Sequence, residues 1–186
     1  SKYAIEKNIP KKIIILDLDN SLWKGVLGEE GPKGIMADQN EEGYFFFIFQ
    51  SFLKNLKNNG ILLAAVSKND LDLIKEAFKF NDFPLKENDF IKLIGTYEPK
   101  SLQIKNLLEL INLTPDSCLF IDDNEIEIEE VKKNISEVTC EKIVNNLEYL
   151  PNFLEKIRKY FNFSDITNED LNRTNLYRKK LDGFLI

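Results

Sequence analysis

Acids, a serine and a lysine stand at separated places in the chain where they could act together. Asp17 and Asp19 sit in Lys12 to Gly31, KIIILDLDNSLWKGVLGEEG. Ser67 opens Ser67-Lys68-Asn69-Asp70, Lys100 lies in Glu98-Pro99-Lys100-Ser101, and Asp122-Asp123-Asn124 closes the set. Each has an ordinary explanation when taken alone. A lone DxD after a buried strand caps a turn about as often as not, Ser67 alone reads as a helix cap, and Asp122-Asp123 alone reads as a turn. Their order is more informative, because each follows a short apolar run. If those runs are strands of one parallel sheet, all these residues meet at its carboxyl edge, where open α/β sheets bind ligands. Carboxylates held that close repel, and some would protonate unless a cation sat among them. Mg²⁺ suits such a place, since it takes oxygen ligands and binds through a few carboxylates plus substrate phosphate. Lys100 points the same way: a cation in the first turn of a helix opposes the dipole, so it must serve a negative neighbour. The chemistry suggested is phosphate handling at a Mg²⁺ site.

The elements that must position these residues alternate strand and helix. Ile13 to Leu16 is an unbroken apolar run, as expected of a strand buried on both faces. Glu42 to Asn59 keeps helical spacing through Phe45, Phe49, Phe52, Leu53 and Leu56, and Gly60 stops it. Those phenylalanines read as core rather than as a cofactor box. Ile61 to Val66 is a second strand, Leu71 to Phe80 a helix, and Phe90 to Ile94 a third strand after a loop holding Pro84. A helix opens at Pro99, Cys118 to Ile121 is the fourth strand, and Glu125, Glu127, Glu129 and Glu130 crowd the start of the next helix. Val138 begins a short last strand, and Leu147 to Phe161 is a further helix. This alternation predicts a doubly wound parallel α/β sheet. Between Leu22 and Asp38 the density of Gly and Pro predicts a small flap or hairpin over the first strand end. The gap is too short for a large cap domain, so a bulky substrate could reach the site. In the tail, Thr167-Asn168-Glu169-Asp170 is a loose capping box, and Arg173, Tyr177 and Arg178 read as a solvated face or a linker helix.

Composition narrows the functions available. With 186 residues, 43% hydrophobic and 30% charged, the chain can bury a complete core. A formal net charge of −6 argues against duplex nucleic acid and anionic membrane as partners. Histidine is absent, which removes Ser–His and Cys–His mechanisms and histidine-bound zinc, so acid–base work falls to Asp, Glu or Lys. Cys118 and Cys140 are too few for a disulfide framework, and no stretch reaches the length of a membrane span, so a cytoplasmic location is the default. Cys118 lies four residues before Asp122, roughly 13 Å back along a strand, too far to act as a thiol nucleophile at the edge. The chain opens on Ser1 and its one methionine is Met36, as expected of a piece of a larger multidomain protein.

The stretch DLDNSLWKGVLGEEG resembles motif I of the haloacid dehalogenase (HAD) superfamily. It is closer to the FkbH-like branch, whose members usually read DxDNTLWGGV(I/V)GEDG. The other positions resemble the remaining HAD motifs one by one from about Lys12 to Val138, which implies a Rossmann-like HAD core over residues 1–161. By that resemblance Asp17 is the nucleophile that forms an aspartyl-phosphate. Asp19 is the general acid and base and offers its backbone carbonyl to Mg²⁺. Ser67, Lys68, Asn69 and Lys100 receive the phosphate, and Asp17, Asp19, Asp122 and Asp123 surround the metal. Several pieces look specifically FkbH-like: GILLAAVSKND, YEPK, FIDDNEIE and the tail TNEDLNRTNLYR within residues 162–186, a helical tail or a linker to a further domain.

Such domains dephosphorylate a three-carbon donor, 1,3-bisphosphoglycerate, and load the glyceryl unit onto the phosphopantetheine thiol of an acyl carrier protein in polyketide assembly. That activity is what the resemblance implies; two other readings stay open. One is a plain Mg²⁺-dependent phosphatase with a small cap, acting on a phosphoprotein or a metabolite. The other is a non-catalytic scaffold that binds a carrier protein, against which the clustered acids argue. There are departures from the branch: Ser21 stands for Thr, Lys24 for Gly and Tyr97 for Trp, and Leu18 lies where relatives often carry a cysteine.

Overall fold

The computed structural model describes residues 9–40, 42–163 and 172–183. Its five strands are β1 (Ile13–Leu16), β2 (Leu62–Ser67), β3 (Lys92–Gly95), β4 (Cys118–Asp122) and β5 (Thr139–Lys142). They form one sheet in the order β3-β2-β1-β4-β5, and every pairing is parallel. Chain order therefore runs outward from β1 to one side and then restarts at β4 on the other. The switch lies between β1 and β4, the place at the strand ends where such sheets bind ligands.

Helices cover both faces. Helices α1 (Leu27–Gly34), α2 (Tyr44–Asn58), α3 (Leu71–Phe80) and α6 (Leu150–Arg158) pack with Ile14 and Leu16. The opposite layer holds Ile13 and Ile15 with α4 (Lys100–Leu110), α5 (Glu125–Asn134) and α7 (Arg173–Gly183). Alternate β1 side chains thus enter different cores, which is why the run has no polar member. Within α2 the buried stripe is Phe45, Phe46, Phe49, Gln50, Leu53 and Leu56. After α2, Gly60 at φ +93° turns the chain into β2, a backbone state that favours glycine.

The small flap or hairpin is as expected, while two other segments differ from expectation in detail. Leu22 to Asp38 is a compact insert: Lys24 and Met36 exchange backbone hydrogen bonds at 2.8 and 3.0 Å and so close off α1. Trp23 and Leu27 are fully buried, and the Trp23 ring stacks on Phe83 at 5.8 Å. The insert is therefore anchored in the core at its base, and no large cap follows. The helix expected from Leu147 starts at Leu150, because Asn146 Oδ1 takes the Glu148 N–H in a turn and Pro151 suits a first helical turn. In the tail, the capping-box residues Thr167 to Asp170 lie outside the described residues. Helix α7 is docked rather than solvated: Leu181 is buried, and the Arg178 guanidinium donates to the Glu87 and Phe90 carbonyls at 3.0 and 2.5 Å. Among the described residues no helix is long and apolar enough to cross a membrane.

Gln50 is a fully buried amide among phenylalanines. Its Nε2 donates to the Leu22 carbonyl at 2.7 Å and its Oε1 accepts the Leu85 N–H at 3.2 Å. It ties the loop after Asp19 to α2 and to the segment before β3. Gln50→Leu strips both backbone groups of this partner, and each unpaired buried group costs about 1–3 kcal/mol. A clear fall in melting temperature is the expected outcome in a thermal scan.

Candidate active site

The register Leu16↔Ile121 sets the ends of β1 and β4 abreast, so Asp17 and Asp122 emerge side by side. Lys100 reaches between them from the start of α4. Its Nζ lies 2.8 Å from Asp17 Oδ1 and 2.7 Å from Asp122 Oδ2. All three are buried, at 6%, 0% and 3% exposure for Asp17, Asp122 and Lys100. Asp123 completes the group: carboxylate oxygens of Asp17, Asp122 and Asp123 lie within 4.8 Å of one another.

The charges are not balanced. Burial would lower the Lys100 pKa, but Asp17 and Asp122 more than offset this and hold the ammonium above its ordinary value. Burial pushes the Asp17 carboxyl well above the usual carboxylate range; Lys100 opposes that shift, while Asp122 and Asp123 add to it. Asp123 is raised too, first by burial. An all-oxygen donor set with one cation too few fits a hard divalent ion such as Mg²⁺.

Asp19 lies outside that cluster of carboxylates and faces a set of donors. Its Oδ1 accepts the Trp23 indole N–H at 3.0 Å and the Leu27 backbone N–H at 2.9 Å, and its Oδ2 accepts from Asn69 Nδ2 at 2.9 Å. The compact insert therefore exists in part to orient this carboxylate. Asn20, at φ +55°, makes the turn that allows it, and its Oδ1 accepts the Gly25 N–H at 2.9 Å. Asn tolerates that left-handed state better than most residues. Gly25 itself sits at φ +109°, and a Cβ there would fall 1.9 Å from Glu30 Oε2.

The remaining expected residues divide. Ser67, 1% exposed, accepts from Asn69 Nδ2 at 2.8 Å, so Asn69 links Ser67 to Asp19. Lys68 pairs with Glu127, with Nζ 2.6 Å from Oε1. Cys118 pairs in register with Ile13, at the far end of β1 from Asp17. Burial raises the Cys118 thiol well above its usual range and the Cys140 thiol to about 11, so both stay protonated near neutrality.

Several residues at the site have no role assigned from sequence. Ser21 Oγ donates to Asp17 Oδ2 at 2.9 Å and accepts the Asp123 N–H at 3.1 Å, stitching the first and fourth strand ends together. Its place four residues after Asp17 was the available signal. Asn124 caps α5 by accepting the Ile126 N–H at 2.9 Å, and its own N–H donates to Asp122 Oδ1 at 2.9 Å. Trp23 was visible only as part of a motif.

No protein-family model matches the chain, and no curated protein matches it. Solved structures do. The N-terminal, phosphatase-domain-containing part of the protein BF1531 from Bacteroides fragilis, complexed with Mg, is 32% identical with a TM-score of 0.78. That match covers 83% of this chain and 42% of the other, so the chain spans less than half of that structure. A predicted HAD-like family hydrolase from Porphyromonas gingivalis is 12% identical at a TM-score of 0.55, covering 81% of this chain and 99% of the other. A HAD family enzyme from Bacteroides thetaiotaomicron, in complex with magnesium and inorganic phosphate, is 15% identical at a TM-score of 0.52, covering 75% and 98%. The fold of this chain is that of the HAD-like hydrolases, without a large cap domain.

Proposed function

We propose that the chain is a Mg²⁺-dependent phosphatase-like enzyme of HAD type with Asp17 as nucleophile. One observation carries this reading: Lys100 is locked between Asp17 and Asp122, with Asp123 close by, at the switch point of the sheet. Asp17, Asp122 and Asp123 would hold the metal, with the Asp19 carbonyl as a further ligand. Mg²⁺ bound there would offset charge on the phosphoryl group and on Asp17.

The chain's own residues supply the rest. An Asp17 oxygen attacks phosphorus, forming the acyl-phosphate bond as the bond to the leaving oxygen breaks. Asp19 gives that oxygen a proton and later takes one from the water that releases phosphate. Ser67 and Lys100 meet the phosphoryl oxygens, while Asn69 holds Ser67 and Asp19 in register. Trp23→Phe removes one donor from Asp19 while leaving Asn69 and the Leu27 N–H. It is expected to lower kcat about tenfold with KM little changed, as loss of one hydrogen bond to a charged group would. A steady-state titration of a phosphate ester checks it.

At the finer level we propose that the donor is a phosphorylated three-carbon acid such as 1,3-bisphosphoglycerate. The thiol of a phosphopantetheinylated acyl carrier protein attacks C1, forming the thioester as the acyl-phosphate C–O bond breaks and inorganic phosphate leaves, while Asp17 removes the phosphate esterified at the other end. Support comes from the FkbH-like character of DNSLWKGVLGEEG, YEPK and FIDDNEIE, and from the absence of a large cap that would bar a protein partner. With both cysteines protonated and remote or half-buried, the unit passes directly to the carrier thiol. The test mixes the protein with Mg²⁺, 1,3-bisphosphoglycerate and the carrier, then weighs the carrier. A glyceryl adduct supports acyl loading. Phosphate release with an unmodified carrier leaves a plain phosphatase, and neither product defeats the enzymatic reading.

A further inference from the structure

Lys68 follows β2 directly, and Glu127 lies in the first turn of α5, yet their side chains meet at 2.6 Å. Since β1 lies between β2 and β4, the pair reaches past the end of β1, across about two strand spacings or roughly 10 Å. It joins the loop that carries Ser67 and Asn69 to the one that carries Asp122 and Asp123. Helix α5 shares its layer with α4, whose Ser101 N–H donates to Glu130 Oε1 at 2.9 Å. The pair therefore stands on the side from which Lys100 enters.

Lys68 and Lys100 differ in how firmly they are held. Lys100 is 3% exposed and fixed by two carboxylates, whereas the Lys68 side chain is 48% exposed and bonded to one. Glu127 is itself largely buried, its side chain 12% exposed, and stays in place, but it satisfies one of three ammonium donors, so the exposed side of Lys68 is open to an incoming anion. Even with Mg²⁺ bound, the edge carries Asp17, Asp19, Asp122 and Asp123 against Lys100 and the ion, and the transferred phosphoryl adds further negative charge. A substrate with a second negative group would meet strong repulsion there unless a further cation turned toward it.

We infer that Lys68 is the receptor for a second anionic group of the substrate, a carboxylate or phosphate carried a short chain away from the transferred phosphoryl, and that Glu127 holds Lys68 in place to meet it. This deepens the phosphatase reading and rests on it. It makes Lys68 a determinant of substrate choice rather than a ligand of the reacting phosphorus.

Non-hydrolysable probes test it by calorimetry on the Mg²⁺-loaded protein. Methylphosphonate carries one anionic group; phosphonoacetate adds a carboxylate, and propane-1,3-bisphosphonate adds a second phosphonate. The wild type should bind at least one two-anion probe about tenfold tighter than methylphosphonate, as one charge-assisted contact allows. The favoured probe tells carboxylate from phosphate. Lys68→Met should erase that preference and Glu127→Gln should widen it, with melting curves confirming that both variants fold. A preference that survives Lys68→Met, or narrows in Glu127→Gln, overturns the inference, as does a wild type with no preference. If methylphosphonate itself fails to bind, the phosphatase reading falls as well.

Discussion

Asp17→Asn is expected to end phosphate release while leaving the protein folded. Asparagine matches aspartate in shape and can keep both contacts, its oxygen accepting from Lys100 Nζ and its amide donating to Ser21 Oγ, the atoms that lie 2.8 and 2.9 Å from the Asp17 carboxylate. Its amide cannot attack phosphorus, so the covalent route closes, and losing a nucleophile of this kind typically costs about 10⁴-fold or more in turnover. Stability should move the other way. Asp17 is a buried carboxylate beside Asp122 and Asp123, and its ionised form is disfavoured by burial even with Lys100 in contact. Removing its charge relieves that strain on the metal-free protein, so the variant should melt no lower than the parent without Mg²⁺. Phosphate release by Asp17→Asn at even a hundredth of the parent rate would mean that another group attacks phosphorus.

Much of this site was legible because strand burial and strand order are written in residue type. Ile13 to Leu16 is apolar throughout since each face meets a different helix layer, and a polar break at Asp17 marks the strand end. The same logic located Ser67 and Asp122, and parallel pairing did the rest, as Leu16 opposite Ile121 shows. Lys100 was legible through its conflict with the helix dipole. What sequence did not reveal are contacts whose partners are backbone groups or lie far along the chain. Gln50 looks like a surface residue inside a row of phenylalanines, because nothing in its neighbours announces the Leu22 carbonyl and the Leu85 N–H. The glycines around Leu22 to Asp38 suggested a small flap or hairpin, but not that Trp23 and Leu27 anchor it and both donate to Asp19. The acids at the start of α5 read as dipole partners, whereas Glu127 takes Lys68 and Glu130 takes the Ser101 N–H.

Lys100→Met should cost both stability and activity, and the two losses should separate on adding Mg²⁺. Methionine fills much of the lysine stem's space but leaves Asp17 and Asp122 facing each other with Asp123 nearby and no buried cation. Breaking a buried pair by removing one partner typically costs about 3–5 kcal/mol. In the metal-free protein the expected result is therefore a large fall in melting temperature. Any ion that binds the folded state alone restores stability by mass action, about 2.7 kcal/mol at a hundredfold excess over its Kd. Mg²⁺ should raise the melting temperature of the variant more than that of the parent, because the variant's carboxylates have no other counter-charge. Turnover should stay low even then, since the ammonium that lies against Asp17, and that we propose meets the phosphoryl oxygens, is gone. Lys100→Arg gives the contrast: the charge is kept, so much of the metal-free stability should return, but the planar head cannot sit where a point charge sits between two carboxylates, and activity should remain depressed. If Lys100→Met melted with the parent in the absence of metal, the acids would not be repelling one another. A divalent ion would then have no electrostatic reason to bind at this edge.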